Sequence, residues 1–391
     1  MKANNLAAAL LIVLVASALP LPVLAKTVSS NRYFVKSLSS VWKNSFNARH
    51  VFDNGFSADL SGYQLRLAKI FGVQVEPISR LSILEEGQVA AGTLSDRQNG
   101  LVPVQEPWNT DLFSGINKSS DNKEESVLIA VLDTGVQVSH PDLKQRIDGC
   151  QDFTQKSGVK NNECEDTNGH GTHVAGIIAA DGGKDGVGMT GMDPSAKLLI
   201  FKVCDETGLC WADDVASAIR ASVKEGVQII TISVGSDSES PLVRDAVKSA
   251  SEDGVLIIAA AGNDGSYSGS LDYPANYASV ISVGAVDSFG SVPEWSSRGN
   301  NGSTKSGVKE DGDLDFAAPG VDVESTWNNG GYAVLSGTSM AAPHIAGLAS
   351  RLWDSESKNP AESVRNLLEK LTSDSETERA GFGVPTGYPT Q

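Results

Sequence analysis

The run Ser126-Val127-Leu128-Ile129-Ala130-Val131-Leu132 is apolar at every position after its serine, and it ends in Asp133-Thr134-Gly135. A strand with one wet face alternates apolar and polar residues. An unbroken apolar run marks a strand covered on both faces, as in a parallel sheet. Downstream, strand-like and helix-like segments alternate: strand at 197–203, helix at 213–225, strand at 228–233, helix at 241–252, strand at 255–260. This alternation predicts an α/β fold, a doubly wound, mostly parallel sheet with helices on both faces. Such sheets place their sites beyond the carboxyl ends of the strands. Asp133 stands at such an end, where an Asp also serves simply as a helix cap.

A second constraint is Gly337-Thr338-Ser339-Met340-Ala341-Ala342-Pro343-His344. A serine sits where a glycine turn gives way to an alanine-rich helix. Helix N-termini carry free N–H groups and partial positive charge. A serine there can attack a carbonyl while its own N–H holds the oxyanion. It can equally be a plain cap. Pro343 fits a first helical turn, so the helix is expected to start near Thr338 or Ser339.

The chain has five histidines, His50, His140, His170, His173 and His344. Glycines flank His170 in Asn168-Gly169-His170-Gly171-Thr172-His173-Val174-Ala175-Gly176, so its ring can be approached closely, and a buried helix is predicted over 174–180. His173 and His344 read as packed residues, and His140, before Pro141, as a loop residue. Asp133, His170 and Ser339 together supply a carboxylate to orient an imidazole and an imidazole to take a serine proton. Asn263 follows the apolar strand at 255–260 and enters the turn Asp264-Gly265, a common place for asparagine.

With these segments in hand, the chain resembles the subtilisin-like serine proteases. Asp133-Thr134-Gly135-Val136, Asn168 to Gly176 and Gly337 to His344 are similar to the family's aspartate, histidine and serine motifs. Ser139-His140-Pro141-Asp142-Leu143, Ala259-Ala260-Ala261-Gly262-Asn263, Tyr273-Pro274-Ala275, Ser282 to Asp287 and Ala317-Ala318-Pro319-Gly320 agree as well. The resemblance runs from about residue 100 onward. It implies a serine endopeptidase that cleaves proteins and peptides through an acyl-enzyme, with Asp133, His170 and Ser339 catalytic and the Asn263 amide as second oxyanion donor. It further implies that Ser233-Val234-Gly235 walls the pocket for the residue before the scissile bond. Thr207-Gly208-Leu209 would pair with the extended substrate as an edge strand. Asp272 falls near the pocket floor, where it would favour Lys or Arg, or else cap local N–H groups or bind a cation. Calcium is the family's usual structural ion and Asp142 matches a ligand, but the loop at 181–186 departs from the family's pattern. A monomer is expected.

Composition adds a compartment. Residues 1–25 carry Lys2, an apolar stretch at 6–18 and Val23-Leu24-Ala25, which reads as a secretory signal peptide. No later stretch is long and apolar enough for a membrane span. An exported chain, bound for the exterior or a periplasm, should pair its four cysteines. Three pairings are possible. The local one, Cys150 with Cys164 and Cys204 with Cys210, is favoured because each pair brackets a polar loop. Net charge is −17, against nucleic acid as partner. Residues 26–104 hold 9 Lys/Arg and 6 Asp/Glu, whereas 105–391 hold 21 and 42. The basic segment is therefore expected to dock on the acidic one, and it is similar to the family's inhibitory pro-domain; a plain N-terminal interaction domain is the alternative. The expected organisation is a signal peptide at 1–25, a pro-domain at 26–100 and a catalytic domain at 101–391. Self-cleavage is expected between 87 and 105, in a polar run that reads as an exposed linker. A non-catalytic binding protein, an esterase or a peptide ligase on the same scaffold are the competing readings.

Overall fold

The computed structural model describes residues 31–85, 88–90, 113, 116, 126–184, 188–300, 309–372 and 383–385. The expected signal peptide and residues 91–100 of the expected linker lie outside the described residues. The chain divides into two compact units, residues 1–78 with 156–158, and 79–155 with 159–391.

The first unit is a four-stranded antiparallel sheet with two helices: β1 (Asn31–Val35), α1 (Ser40–Ser45), β2 (Val51–Phe52), β3 (Gly55–Leu60), α2 (Gly62–Ile70) and β4 (Val75–Pro77), in the order β2-β3-β1-β4. Val35, Phe46, Phe56, Ala58, Leu60 and Ala68 form its core. Ser61 starts α2 with a capping box: its hydroxyl accepts from the Gln64 N–H at 3.3 Å, and its own N–H donates to Gln64 Oε1 at 2.9 Å. Of these elements, α1 leaves no mark in the sequence. That helix is six residues long and buries no residue fully, so it has no apolar period to read.

The second unit holds β5 (Arg80–Ile83), β6 (Gln88–Ala90), β7 (Leu128–Asp133), β8 (Ile147–Asp152), β9 (Lys160–Asn161), α3 (His170–Ala179), β10 (Lys197–Lys202), β11 (Leu209–Trp211), α4 (Ala212–Lys224), β12 (Ile229–Ile232), β13 (Val234–Gly235), α5 (Pro241–Glu252), β14 (Leu256–Ala260), β15 (Ile281–Val286), β16 (Phe316–Pro319), β17 (Val323–Thr326), β18 (Tyr332–Leu335), α6 (Thr338–Leu352) and α7 (Pro360–Leu371). Its main sheet runs β16-β15-β14-β12-β7-β10-β8-β9, parallel throughout except for β9. The expected α/β architecture is the observed one. Successive strand residues face opposite ways. Ile129, Val131, Ile258 and Val283 join the core under α3 and α6. The alternate residues Ala130, Leu132, Ile230 and Ile232 are equally buried and supply the other face, where α4 packs against β7 and α5 against β14.

Two expectations change. Pro343 lies in the second turn of α6, not the first. It lacks the N–H that would bond the Ser339 carbonyl in a regular helix, and the Ser233 hydroxyl donates to that carbonyl instead, at 3.1 Å. The polar run expected as a linker from residue 87 begins as a strand: β6 pairs antiparallel with β18, Gln88 opposite Leu335. Among the described residues, no helix is long and apolar enough to cross a membrane.

Candidate active site

Asp133 closes β7, and His170 opens α3. Asp133 Oδ1 accepts from the Thr134 N–H at 2.7 Å and from His170 Nδ1 at 2.8 Å, with both side chains fully buried. The carboxylate only accepts, so the ring proton sits on Nδ1 and leaves Nε2 as an acceptor. That Nε2 is buried and has no hydrogen-bond partner among the described residues. Burial opposes charge on His170. The charge and hydrogen bond of Asp133, helped by Glu85 and Asp166, outweigh burial and hold His170 above its ordinary 6.5.

Asp166, which the sequence reading passed over, pins the loop that delivers His170. Its carboxylate accepts from the N–H groups of Asn168 (3.1 Å), Gly169 (2.8 Å) and Thr172 (2.9 Å) and from the hydroxyls of Thr134 (2.9 Å) and Thr172 (2.6 Å). The Thr134 hydroxyl also accepts from the Gly171 N–H at 2.9 Å, tying the end of β7 to the start of α3.

Ser339 lies in the first turn of α6 and touches a backbone segment of its own chain. Its N–H donates to the Leu84 carbonyl at 3.3 Å, and its Oγ accepts from the Leu84 N–H at 3.1 Å. A Cβ on Gly337 would fall 2.3 Å from that carbonyl oxygen, and Gly337 has φ +153°, so this close approach requires glycine. The Ser339 hydroxyl donates to the Ser233 carbonyl at 2.8 Å. The structure thus joins Asp133 to His170 directly but shows no hydrogen bond from Ser339 to His170.

Asn263 stands beside Thr338. Its Oδ1 accepts from the Thr338 N–H at 3.1 Å and hydroxyl at 2.9 Å, which fixes the amide and leaves the buried Nδ2 without a partner among the described residues. Thr338 was not singled out in the sequence. Its hydroxyl signal is local and says nothing about Asn263, 75 residues away.

The expected substrate wall is occupied by the chain itself. β5 lies between β11 and β13 in a three-stranded sheet, antiparallel to both. Ile83 donates its N–H to the Gly208 carbonyl at 3.0 Å. Leu84 follows, and a Cβ on Gly235 would meet its side chain at 2.9 Å and Asp272 Oδ2 at 2.6 Å. Ser233, Gly235, Gly208 and Asp272 therefore converge on β5 and Leu84. Asp272 is 3% exposed and its Oδ1 is unpartnered. Burial, then the charges of Asp264 and Asp237, push its carboxyl up to about 8.

The disulfides are Cys150–Cys164 and Cys204–Cys210, the local pairing. The second closes the turn that leads into β11. Asp142 lies apart from the site: its Oδ2 accepts from the Met189 N–H (3.0 Å) and the Tyr332 hydroxyl (2.8 Å), and its Oδ1 is buried with no partner among the described residues. His173 places Nε2 3.1 Å from the Val323 and Ala333 carbonyls, and burial pushes it down to about 3. Burial likewise lowers His344 to about 4. Both are packed residues, as expected. His140, expected as a loop residue, is buried, its ring against the Gly331 carbonyl at 2.9 Å.

Residues 124–385 match the model of the subtilase family. The chain is 38% identical over 316 residues to a subtilisin of Bacillus sp. (strain TA39), covering 76% of this chain and 73% of that one. It is 41% identical over 229 residues to the major intracellular serine protease of Bacillus subtilis (strain 168), covering 58% and 67%. Among solved structures, the S41 psychrophilic protease and sphericase each superpose with a TM-score of 0.65 at 37% identity, over 73% of this chain and 99% of theirs.

Proposed function

Given that the chain belongs to the subtilase family and is a serine endopeptidase, we propose that Asp133, His170 and Ser339 carry its chemistry and that the Leu84–Glu85 bond is its first substrate. The observation that supports this most is the Leu84 carbonyl resting on the Ser339 N–H while β5 pairs with both walls of the cleft. His170 Nε2 takes the Ser339 proton, and Ser339 attacks the peptide carbonyl. Asp133 holds the imidazole and stabilises its charged form. The Ser339 N–H and Asn263 Nδ2 hold the oxyanion. His170 then protonates the leaving amine, and water releases the acyl group.

On this reading residues 26–84 are a pro-segment that inhibits its own enzyme, and maturation falls after Leu84, just ahead of the 87–105 window. The chain is exported behind its N-terminal signal and acts as a monomer on proteins and peptides. Calcium is common among subtilases. The orphaned, buried Asp142 Oδ1 fits a hard cation, so Asp142 would hold one, with a structural role. Its loss in EDTA should lower the melting temperature, and added calcium should restore it.

The test is labelling with a serine-directed phosphonyl reagent alongside casein hydrolysis. Stoichiometric labelling, lost together with casein cleavage in Ser339→Ala, is expected. Labelling that survives the substitution would remove Ser339 from the mechanism. Labelling without casein cleavage would favour an esterase or ligase.

A further inference from the structure

β5 precedes the Leu84–Glu85 bond and β6 follows it, and both pair with strands of the catalytic body. Gln88, Val89 and Ala90 stand opposite Leu335, Val334 and Ala333 of β18. Ser339 lies four residues beyond Leu335. Gln88 likewise lies four residues beyond Leu84, whose carbonyl accepts from the Ser339 N–H at 3.3 Å. Each step forward from Leu84 therefore matches one step back from Ser339. β6 continues, in one antiparallel register, the alignment set at the nucleophile. A slip by one residue would break that match.

The pairing is made by main chain, so it asks for an extended backbone rather than particular side chains. In the order β17-β18-β6, β6 is the outer strand. Its departure turns β18 into an edge whose N–H and C=O groups seek a new strand. That edge is held from behind. Tyr332, Ala333 and Leu335 are buried, and the Tyr332 hydroxyl donates to Asp142 Oδ2 at 2.8 Å. Docking therefore orders only the incoming chain.

We propose that β18 is a docking edge for substrate chain beyond the cut. It takes the fourth to sixth residues after the scissile bond as an added antiparallel strand, and β6 is its first occupant. The partner is an extended stretch of polypeptide, chosen by its free backbone N–H groups. The proposal rests on the reading of Ser339 and the Leu84–Glu85 bond given above. β11 and β13 hold a substrate before that bond and β18 holds it after, so the enzyme favours chains that run well past the cut. Once cut, residues 85–90 stay attached to the enzyme and compete for the same edge.

The experiment compares three amidated peptides cut by the self-cleaved enzyme: residues 79–87 of this chain, residues 79–92, and the long peptide N-methylated at 88–90. The third keeps length and side chains but has no donors to pair with β18. Wild type is assayed beside Gln88→Pro/Val89→Pro/Ala90→Pro, whose own N-terminus cannot pair and leaves the edge open. In the proline variant, kcat/KM should be about tenfold higher for the long peptide than for the short one, through KM, and N-methylation should abolish the gain. A smaller gain in wild type marks competition by residues 85–90. Equal values for short and long peptides in the proline variant overturn the docking edge, as does a gain that survives N-methylation. Where the triple variant does not fold, Val89→Pro and Gln88→Pro/Ala90→Pro take its place, since one of the two removes the donors that face β18. Failure to cut any of the peptides after Leu84 would instead count against the reading of the active site.

Discussion

His170 and His173 lie one turn apart on α3, and both are completely buried. One is held above its ordinary value and the other is pushed to about 3. Burial disfavours the charged form of each, so it cannot explain the difference. The partners do. His170 faces a carboxylate, Asp133. His173 faces two backbone carbonyls and feels the charge of His170. One helix thus carries two buried rings in opposite electrostatic states, sorted by what each ring touches.

The strongest way to break the comparison is Asp133→Asn. It keeps the shape but removes the charge and the tautomer control, and kcat should fall about 10⁴-fold, as in other serine proteases. Loss of less than about tenfold would mean that His170 needs no carboxylate. Asn263→Ala comes next, with an expected loss of about 10²–10³ in kcat, a figure that is subtilisin's own; KM should change little. His173→Leu should remove the hydrogen bond its ring gives to the Val323 and Ala333 carbonyls and cost about 1–3 kcal/mol in denaturant unfolding, while kcat per folded molecule stays close to wild type.

The two histidines also predict opposite pH effects. His170 is raised, so its contribution to stability is complete below 6.5 and fades as pH rises through its folded value. His173 is lowered, so its contribution is complete above 6.5 and fades as pH falls toward about 3. On the proposed mechanism catalysis needs neutral His170, so the acid limb of kcat/KM should lie above 6.5. The smallest effect concerns Glu85, whose charge also raises His170. Glu85→Gln should move the acid limb of self-cleavage to lower pH, read by gel densitometry across a pH series; a shift upward would contradict it.

The residues that deliver His170 show where sequence reading stops. Asp133, His170, Ser339 and Asn263 were legible because each closes an apolar run or stands in a glycine-bordered motif. Asp166 and Thr338 were not, since they act by holding backbone and amide groups that only the fold brings to them. Leu84 sits in an unremarkable Leu-Ser-Ile-Leu stretch, and only the pairing of β5 with β11 and β13 carries it to Ser339. In the sheet, long buried strands were read to within one or two residues, while β6 was lost because three residues in a polar run have no period.

The central claim is that Ser339, prepared by His170 and Asp133, lies on the Leu84–Glu85 bond. Intact mass and N-terminal sequencing of the expressed full-length chain, wild type beside Ser339→Ala, test it most directly. The account predicts a mature wild-type chain beginning at Glu85 and a Ser339→Ala chain still joined across that bond. A first cut at another bond, or cleavage after Leu84 that persists without Ser339, would contradict it.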